Sequence, residues 1–362
     1  MTEAAAARDG SAVHAERRGA AGFIILDRPR ALNALTLPMV RAIAAALDAF
    51  ERDADVARVV VASAGGRAFC SGGDIRLFYE LGRAGDHAAQ LDFWREEYQL
   101  NRRIARYSKP CVALVDGIVM GGGVGLFAHA SHRVVSERCL FAMPEVGIGF
   151  FPDVGAAYVL ARLPNRIGAL LAATGRRIEA GDVVELAIAQ TFVASSDLPA
   201  LSAALAEVRS LNAILGQFAA PPPPPGRLAA EGGAIQTWFA RLDRPAVLEA
   251  LAKAAPGAEL AAAALSAMRA TSPTTQAIAL RQVALAADLS LEETLRIDFR
   301  IASRICRAED MYEGVRATII DKDRAPRWRP GPGEPIAEAA VDAYFAPLPP
   351  AEELTFPESG RW

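Results

Sequence analysis

The sequence predicts an α/β domain followed by a mostly helical region. Three observations carry that expectation. Short apolar runs alternate with amphipathic stretches over the first half of the chain, a triple glycine joins a strand to a helix at residues 121–123, and helical periodicity dominates beyond residue 234.

Residues 22–27 (GFIILD) form an apolar run closed by Arg28-Pro29, which predicts a buried strand ending in a turn. A helix is expected next, with Thr36 as N-cap, Pro38 in the first turn and Met39, Ile43, Leu47 and Phe50 on one face. Residues 58–63 (RVVVAS) predict a second buried strand, completing an α/β opening. The glycine-bearing loop 64–75 leads to a helix capped by Asp74, and its glycines suit a tight turn as well as a ligand. Residues 91–106 read as an amphipathic helix anchored by Phe93, Trp94, Leu100 and Ile104; taken alone, Glu97 on that helix reads as a solvated charge. A strand at 111–115 (CVALV) then runs into Asp116-Gly117, where Asp116 suits a turn or cap.

Helical periodicity returns over 156–190, 198–218 and 234–289, interrupted by a strand candidate at 188–193 and by the prolines at 221–225. That proline run and Gly226 predict a polyproline connector, residues 221–226. Ser290 and Glu293 have the spacing of a capping box for a helix running to Arg307. The expected division is a disordered N-terminal tail at 1–19, a core at 20–195 that holds the site, and a helical C-terminal region at 196–362. The charged, proline-rich stretch after Ala325 is expected to wrap the surface.

Composition excludes several classes. With 39 basic and 42 acidic residues the formal charge is -3, which supplies no basic field for DNA or RNA. Cys70, Cys111, Cys139 and Cys306 are far apart and form no C-x-x-C pair, so buried reduced thiols are expected rather than a zinc knuckle or a disulfide framework. Residues 1–19 have no apolar h-region, and the longest apolar run, 117–130, is too short to span a bilayer. A cytoplasmic protein without membrane contact is the expectation. No phosphate-binding loop, dinucleotide fingerprint or nucleophile elbow occurs. His129 and His132 stand three apart, but no neighbouring acid completes a ligand set; packing or capping is expected of them, and no metal site.

The chemistry concentrates between residues 120 and 155. Gly121-Gly122-Gly123 offers backbone N–H groups that no side chain crowds, at the start of a helix. Gly73 stands in a similar place after an earlier strand, and two such N–H groups converging on one point make an oxyanion hole. Glu145 and Asp153 add carboxylates to an apolar neighbourhood, where such a group can act as nucleophile or proton carrier. Carbonyl chemistry is the reading.

Four motifs, AFCSGGDI (68–75), VDGIVMGGGVGL (115–126), FAMPE (141–145) and FPDVG (151–155), resemble the crotonase, or enoyl-CoA hydratase/isomerase, superfamily. Three more, REEYQLN (95–101), SPTTQAIALRQ (272–282) and EGVRATIIDKD (313–323), are similar to its 3-hydroxyisobutyryl-CoA hydrolase branch. The resemblance implies a ClpP/crotonase-like spiral of β-β-α repeats forming two sheets, with a helical C-terminal region covering the site. It implies an acyl-CoA substrate, CoA being part of that substrate and no separate cofactor being needed. The amides of Gly73 and Gly122 would hold the thioester oxygen, Glu145 and Asp153 would be catalytic, and Glu97 would bind the acyl group. Gly125 stands where hydratases of the superfamily carry their first catalytic glutamate, which favours thioester hydrolysis in valine breakdown over hydration. The alternatives are hydration or isomerisation of another acyl-CoA, and a non-catalytic acyl-CoA-binding subunit. Arg28 and Arg30 are candidates for the CoA phosphates, solvated surface arginine being at least as good a reading. Homo-oligomerisation is left open.

Overall fold

The computed structural model describes residues 12–356. Strands β1 (Val13–Arg18) and β2 (Ala21–Leu26) form an antiparallel hairpin with Val13 opposite Leu26. At residues 13–18 this departs from the disordered tail expected over 1–19. Residues 13–18 are an edge strand held by backbone pairing although all but Val13 are exposed, so composition could not reveal it. Residues 1–11 lie outside the described residues.

After α1 (Leu37–Arg52) the chain repeats one pattern three times, a longer strand, a short strand and then helix. The first pass is β3 (Arg58–Ser63), β4 (Ala68–Cys70), α2 (Ile75–Arg83) and α3 (His87–Ala105). The second is β5 (Cys111–Val115), β6 (Ile118–Met120) and α4 (Gly122–Ala128). The third is β7 (His132–Val135), β8 (Leu140–Ala142), α5 (Ala156–Leu160) and α6 (Ile167–Thr174). Then come β9 (Ile178–Glu179), α7 (Ala180–Glu185) and β10 (Thr191–Phe192).

The longer strands join a six-stranded sheet in the order β1-β2-β3-β5-β7-β10, and the short ones a four-stranded sheet, β4-β6-β8-β9. Pairs β3–β5, β5–β7, β4–β6 and β6–β8 are all parallel, so each pass advances one place in both sheets. This is the β-β-α spiral expected from the sequence. Successive strand residues face opposite sides, and both sides are apolar. Ile24, Val59, Val61, Ala113 and Val135 face the main core. Phe23, Val60, Val112, Leu114 and Val134 face a second cluster, closed by α8 (Leu198–Leu205) and α9 (Leu211–Phe218) through Leu201, Leu205, Ile214 and Leu215. The boundary expected between 195 and 196 therefore falls inside a packed layer. Helical period reported that those residues coil, not which surface they cover.

The proline run lies against α7, where a Cβ on Gly181 would come within 2.7 Å of Pro223 O. Helices α10 (Gly232–Trp238), α11 (Arg244–Ala252), α12 (Glu259–Ala270), α13 (Pro273–Ala286), α14 (Leu291–Ile305) and α15 (Glu309–Val315) follow, and a π-helical turn, Arg316–Ile320, extends α15. The capping box at Ser290 and Glu293 is formed, whereas Thr36 makes no side-chain bond at its N-cap position. In this region α13 packs on α5 and α6 and α14 on α3, and their buried residues join the main core. The stretch after Ala325 does more than wrap the surface: it contains α16 (Glu338–Phe345), Leu354 is buried, and buried Trp328 donates from Nε1 to Ala270 O at 2.9 Å. All four cysteines are free and buried. No helix among the described residues is long and apolar enough to cross a membrane.

Because Leu201 is fully buried between α8 and the sheet, Leu201→Ala should destabilise the whole protein by about 2–5 kcal/mol. Denaturant unfolding followed by circular dichroism checks this; a loosely attached α8 would give no shift in the main transition.

Candidate active site

Parallel pairing sets the ends of β4, β6 and β8 side by side, and each end delivers one element of the site. Gly73 follows β4, Gly122 opens α4 directly after β6, and Glu145 follows β8. Leu35 N–H donates to Gly72 O at 2.7 Å and Leu35 O accepts from Asp74 N–H at 2.9 Å, so the N–H of Gly73 between them points the other way. Gly122 is the first residue of its helix, where N–H groups have no intrahelical acceptor. Neither N–H has an acceptor among the described residues.

The two loops touch. A Cβ on Gly72 would lie 3.5 Å from Gly122 N, and one on Gly121 would lie 2.9 Å from Glu145 Oε1. Gly121 also has φ 50 and ψ -129, a conformation that a side chain would disfavour. Asp74 caps α2 through Leu77 N–H at 3.3 Å and pairs with Arg28 at 2.8 Å, while Arg28 also donates to Ala34 O at 3.0 Å. Arg28 thus braces the loop that carries Gly73. Arg30 is exposed.

These loops open on a cavity of about 370 Å³ lined by Ile75, Phe78, Phe93, Trp94, Phe150 and Met311 together with Glu97, Glu145 and Asp153. The three carboxylates are 2%, 7% and 5% exposed, respectively. Burial pushes Glu145 well above the ordinary carboxylate range, and neighbouring Asp153 adds to the shift. Glu97 rises well above its usual value for the same first reason, with Asp153 and Glu145 contributing. Asp153 is raised by burial to about 7, against the opposing hydrogen bond from Tyr98. That bond, Tyr98 O–H to Asp153 Oδ2, is 2.8 Å long. Glu97 Oε1 and Glu145 Oε2 have no hydrogen-bond partner, which leaves both oxygens available to a bound molecule.

All five residues expected in the site, Gly73, Glu97, Gly122, Glu145 and Asp153, therefore line one cavity. Taken alone, Glu97 looked like a solvated charge, yet it is buried. Helix α3 turns Trp94, Glu97, Tyr98 and Asn101 inward, at the i, i+3, i+4, i+7 spacing of one helix face. That spacing could have revealed Tyr98, which the sequence reading missed. It also missed Arg177, Thr318 and Ile319 on the cavity wall, because they come from distant segments.

Gly125 is occupied territory. A Cβ there would lie 2.5 Å from Nδ2 of the fully buried Asn101 and 3.0 Å from Val154 Cβ, so with Asn101 in place no larger side chain fits. Both histidines are hydrogen-bonded within the protein: His129 Nε2 is 2.7 Å from Val154 O, and His132 Nδ1 is 3.0 Å from Ser131 Oγ. Asp116 accepts from Ser136 Oγ at 2.6 Å and from Arg138 at 2.9 Å, a structural role.

Two unpaired N–H groups lining the same cavity as a desolvated carboxylate can stabilise an oxyanion while that carboxylate attacks a carbonyl or activates water. The electrostatics are testable without substrate. Folding raises Asp153 from its ordinary 3.8 to about 7, so the folded state holds this proton more tightly than the unfolded chain. Its contribution to stability is complete below pH ~4 and is lost as pH rises through ~7. Thermal melts of the free protein at pH 5 and pH 8 should show a smaller loss for Asp153→Asn than for the parent, and equal losses would contradict the assignment.

A family model described as enoyl-CoA hydratase/isomerase matches residues 21–345. The protein named 3-hydroxyisobutyryl-CoA hydrolase, mitochondrial, from Xenopus tropicalis is 41% identical over 341 residues, covering 92% of this chain and 88% of that one. Among solved structures, an enoyl-CoA hydratase from Rhodobacter sphaeroides 2.4.1 superposes with TM-score 0.87 at 43% identity, covering 96% of this chain and 100% of the other. A carnitinyl-CoA dehydratase from Mycobacterium thermoresistibile gives TM-score 0.89 at 38% identity, covering 96% and 99%. With a matched model spanning nearly the whole described chain and relatives this similar over most of their length, the chain belongs to the enoyl-CoA hydratase/isomerase family.

Proposed function

We propose that the chain hydrolyses the thioester of 3-hydroxyisobutyryl-CoA, releasing 3-hydroxyisobutyrate and free CoA, a step of valine breakdown. The observation that carries this reading is Glu145: a carboxylate buried in an apolar cavity, with Oε2 unpartnered, beside the unpaired N–H groups of Gly73 and Gly122. The similarity to proteins named for this hydrolysis supports the substrate.

The thioester oxygen would lie between the two glycine amides. Negative charge growing there meets donors that need no rearrangement, and the surrounding apolar wall strengthens them. Glu145 acts on the thioester carbon either directly, giving an anhydride that water then opens, or by removing a proton from the attacking water. The thiolate leaves and takes up a proton, for which Asp153 is placed in the same cavity. Asp153, held by Tyr98, also suits the substrate's 3-hydroxyl, and the free Oε1 of Glu97 suits the acyl group. A site that binds a hydroxyl with buried polar groups rejects analogues lacking it, so narrow acyl specificity is expected, with 3-hydroxypropionyl-CoA as the natural second substrate.

Hydration is the competing reading, since two similar solved structures are described as a hydratase and a dehydratase. Against it stands Gly125 with Asn101 packed on it, where a second glutamate would be needed. A cytoplasmic location is likewise our proposal; the Xenopus relative is named as mitochondrial, and cell fractionation distinguishes the two.

Purified protein should release CoA thiol from 3-hydroxyisobutyryl-CoA and leave the enoyl absorbance of crotonyl-CoA unchanged; the opposite pattern would establish a hydratase. Glu145→Gln should lower thiol release by about 100- to 10,000-fold, the range for a proton-transfer or nucleophilic group. Because burial raises Glu145 and the group must be ionised to act, kcat should fall toward acid with a midpoint above the ordinary carboxylate range. After a single turnover in oxygen-18 water, label in Glu145 would establish the anhydride, opened by water at its glutamyl carbonyl, whereas label in the product alone marks attack of water on the acyl carbon.

A further inference from the structure

Asp153 is followed by a backbone turn that L-residues avoid. Val154 has φ 54 although it is β-branched and fully buried, and Gly155 has φ 72. A left-handed valine persists only where its surroundings over-determine it. Two side chains from separate helices do so here. His129, at the end of α4, lies with Nε2 2.7 Å from Val154 O; a carbonyl only accepts, so that nitrogen carries the proton. Asp298, on α14, accepts the Gly155 N–H at 2.7 Å through Oδ2 and a second hydrogen bond from Gln282 Nε2, on α13, through Oδ1.

Asp298 and Gln282 are almost completely inaccessible, and neither lines the cavity. Burying a carboxylate away from any cation is costly, and an apolar residue would pack this helix interface at less cost. What Asp298 adds is an acceptor at the one N–H that follows the strained valine. With Tyr98 O–H on Asp153 Oδ2 from a third helix, the aspartate is held at both its side chain and its trailing backbone.

We infer that Asp298, seconded by His129, is a positioning residue for the reaction: it locks the Val154–Gly155 turn so that the Asp153 carboxylate faces the reacting acyl group. The C-terminal helices thus reach beneath the cavity, fixing the geometry of a residue on the far side of the wall. This inference rests on the hydrolase reading for its kinetic consequence but not for its structural one.

Three variants and two readouts test it. In Asp298→Ala the Gly155 N–H loses its acceptor, so kcat for thiol release should fall about 10- to 100-fold with KM within about threefold, the signature of misplaced chemistry rather than lost binding. Hydrogen exchange of the peptide spanning residues 150–157 should accelerate. Asp298→Asn should restore both: its Oδ1 can accept from Gly155, and Gln282 Oε1, which has no partner now, can accept from the new amide once the glutamine turns over. Wild-type kcat in a folded Asp298→Ala protein, unchanged exchange at 150–157, or failure of Asp298→Asn to exceed Asp298→Ala would overturn the inference. Should Asp298→Ala not fold, His129→Gln beside His129→Leu poses the same question from the Val154 side, with rescue expected only for the glutamine. If the wild type were silent on 3-hydroxyisobutyryl-CoA, the hydrolase reading would fail on its own, and exchange at 150–157 would still decide the role of Asp298.

Discussion

Parallel pairing of three very short strands governs this molecule. Strands β4, β6 and β8 contribute three residues each, yet their register aligns three strand ends that lie far apart in sequence. Parallel neighbours end at the same edge, so whatever follows them converges there. The two glycine amides and Glu145 are therefore neighbours by topology, before any side chain is placed. The longer strands of the six-stranded sheet make that register dependable, because a one-residue slip in β3, β5 or β7 would exchange side chains between two separately packed apolar clusters.

The second constraint is electrostatic. Glu97, Glu145 and Asp153 share one apolar cavity, and all three are pushed toward the protonated form, chiefly by burial. Folding tolerates this because a neutral carboxyl group is far cheaper to bury than a carboxylate. The same burial readies the site, since an ionised carboxylate in such surroundings is poorly solvated and reactive. Stability and reactivity pull against each other at these three residues, a trade seen wherever a site is built from strained or desolvated groups.

The helical region resolves that conflict mechanically. Met311, Thr318 and Ile319 close one wall of the cavity, while α13 and α14 pack beneath α5, α6 and α3. Through Asp298 and Gln282 it also holds the turn after Asp153. The helical region expected from sequence at 196–362 shares a continuous apolar core with the part of the chain that carries the chemistry.

Much of this was legible from the chain alone. Apolar runs such as RVVVAS and CVALV marked buried strands because both sheet faces are covered, Ser290 and Glu293 announced a cap, and the glycine and carboxylate motifs at 68–75, 121–123, 145 and 153 named the site's parts. Each of these signals is local: a period, a cap or a residue that only a tight approach requires. What remained hidden involves partners distant in sequence. An exposed edge strand at 13–18 is held by backbone bonds that composition does not encode, α8 and α9 reveal their helical period but not the sheet they cover, and Tyr98, Arg177 and Asp298 acquire roles only from what folds against them. The sequence by itself determined the long buried strands β2, β3 and β5, the strongly periodic helices and the chemical groups available. Tertiary structure alone decided which carboxylates share a cavity and which way they point, because burial and long-range hydrogen bonds arise from chain segments brought together rather than from any one of them.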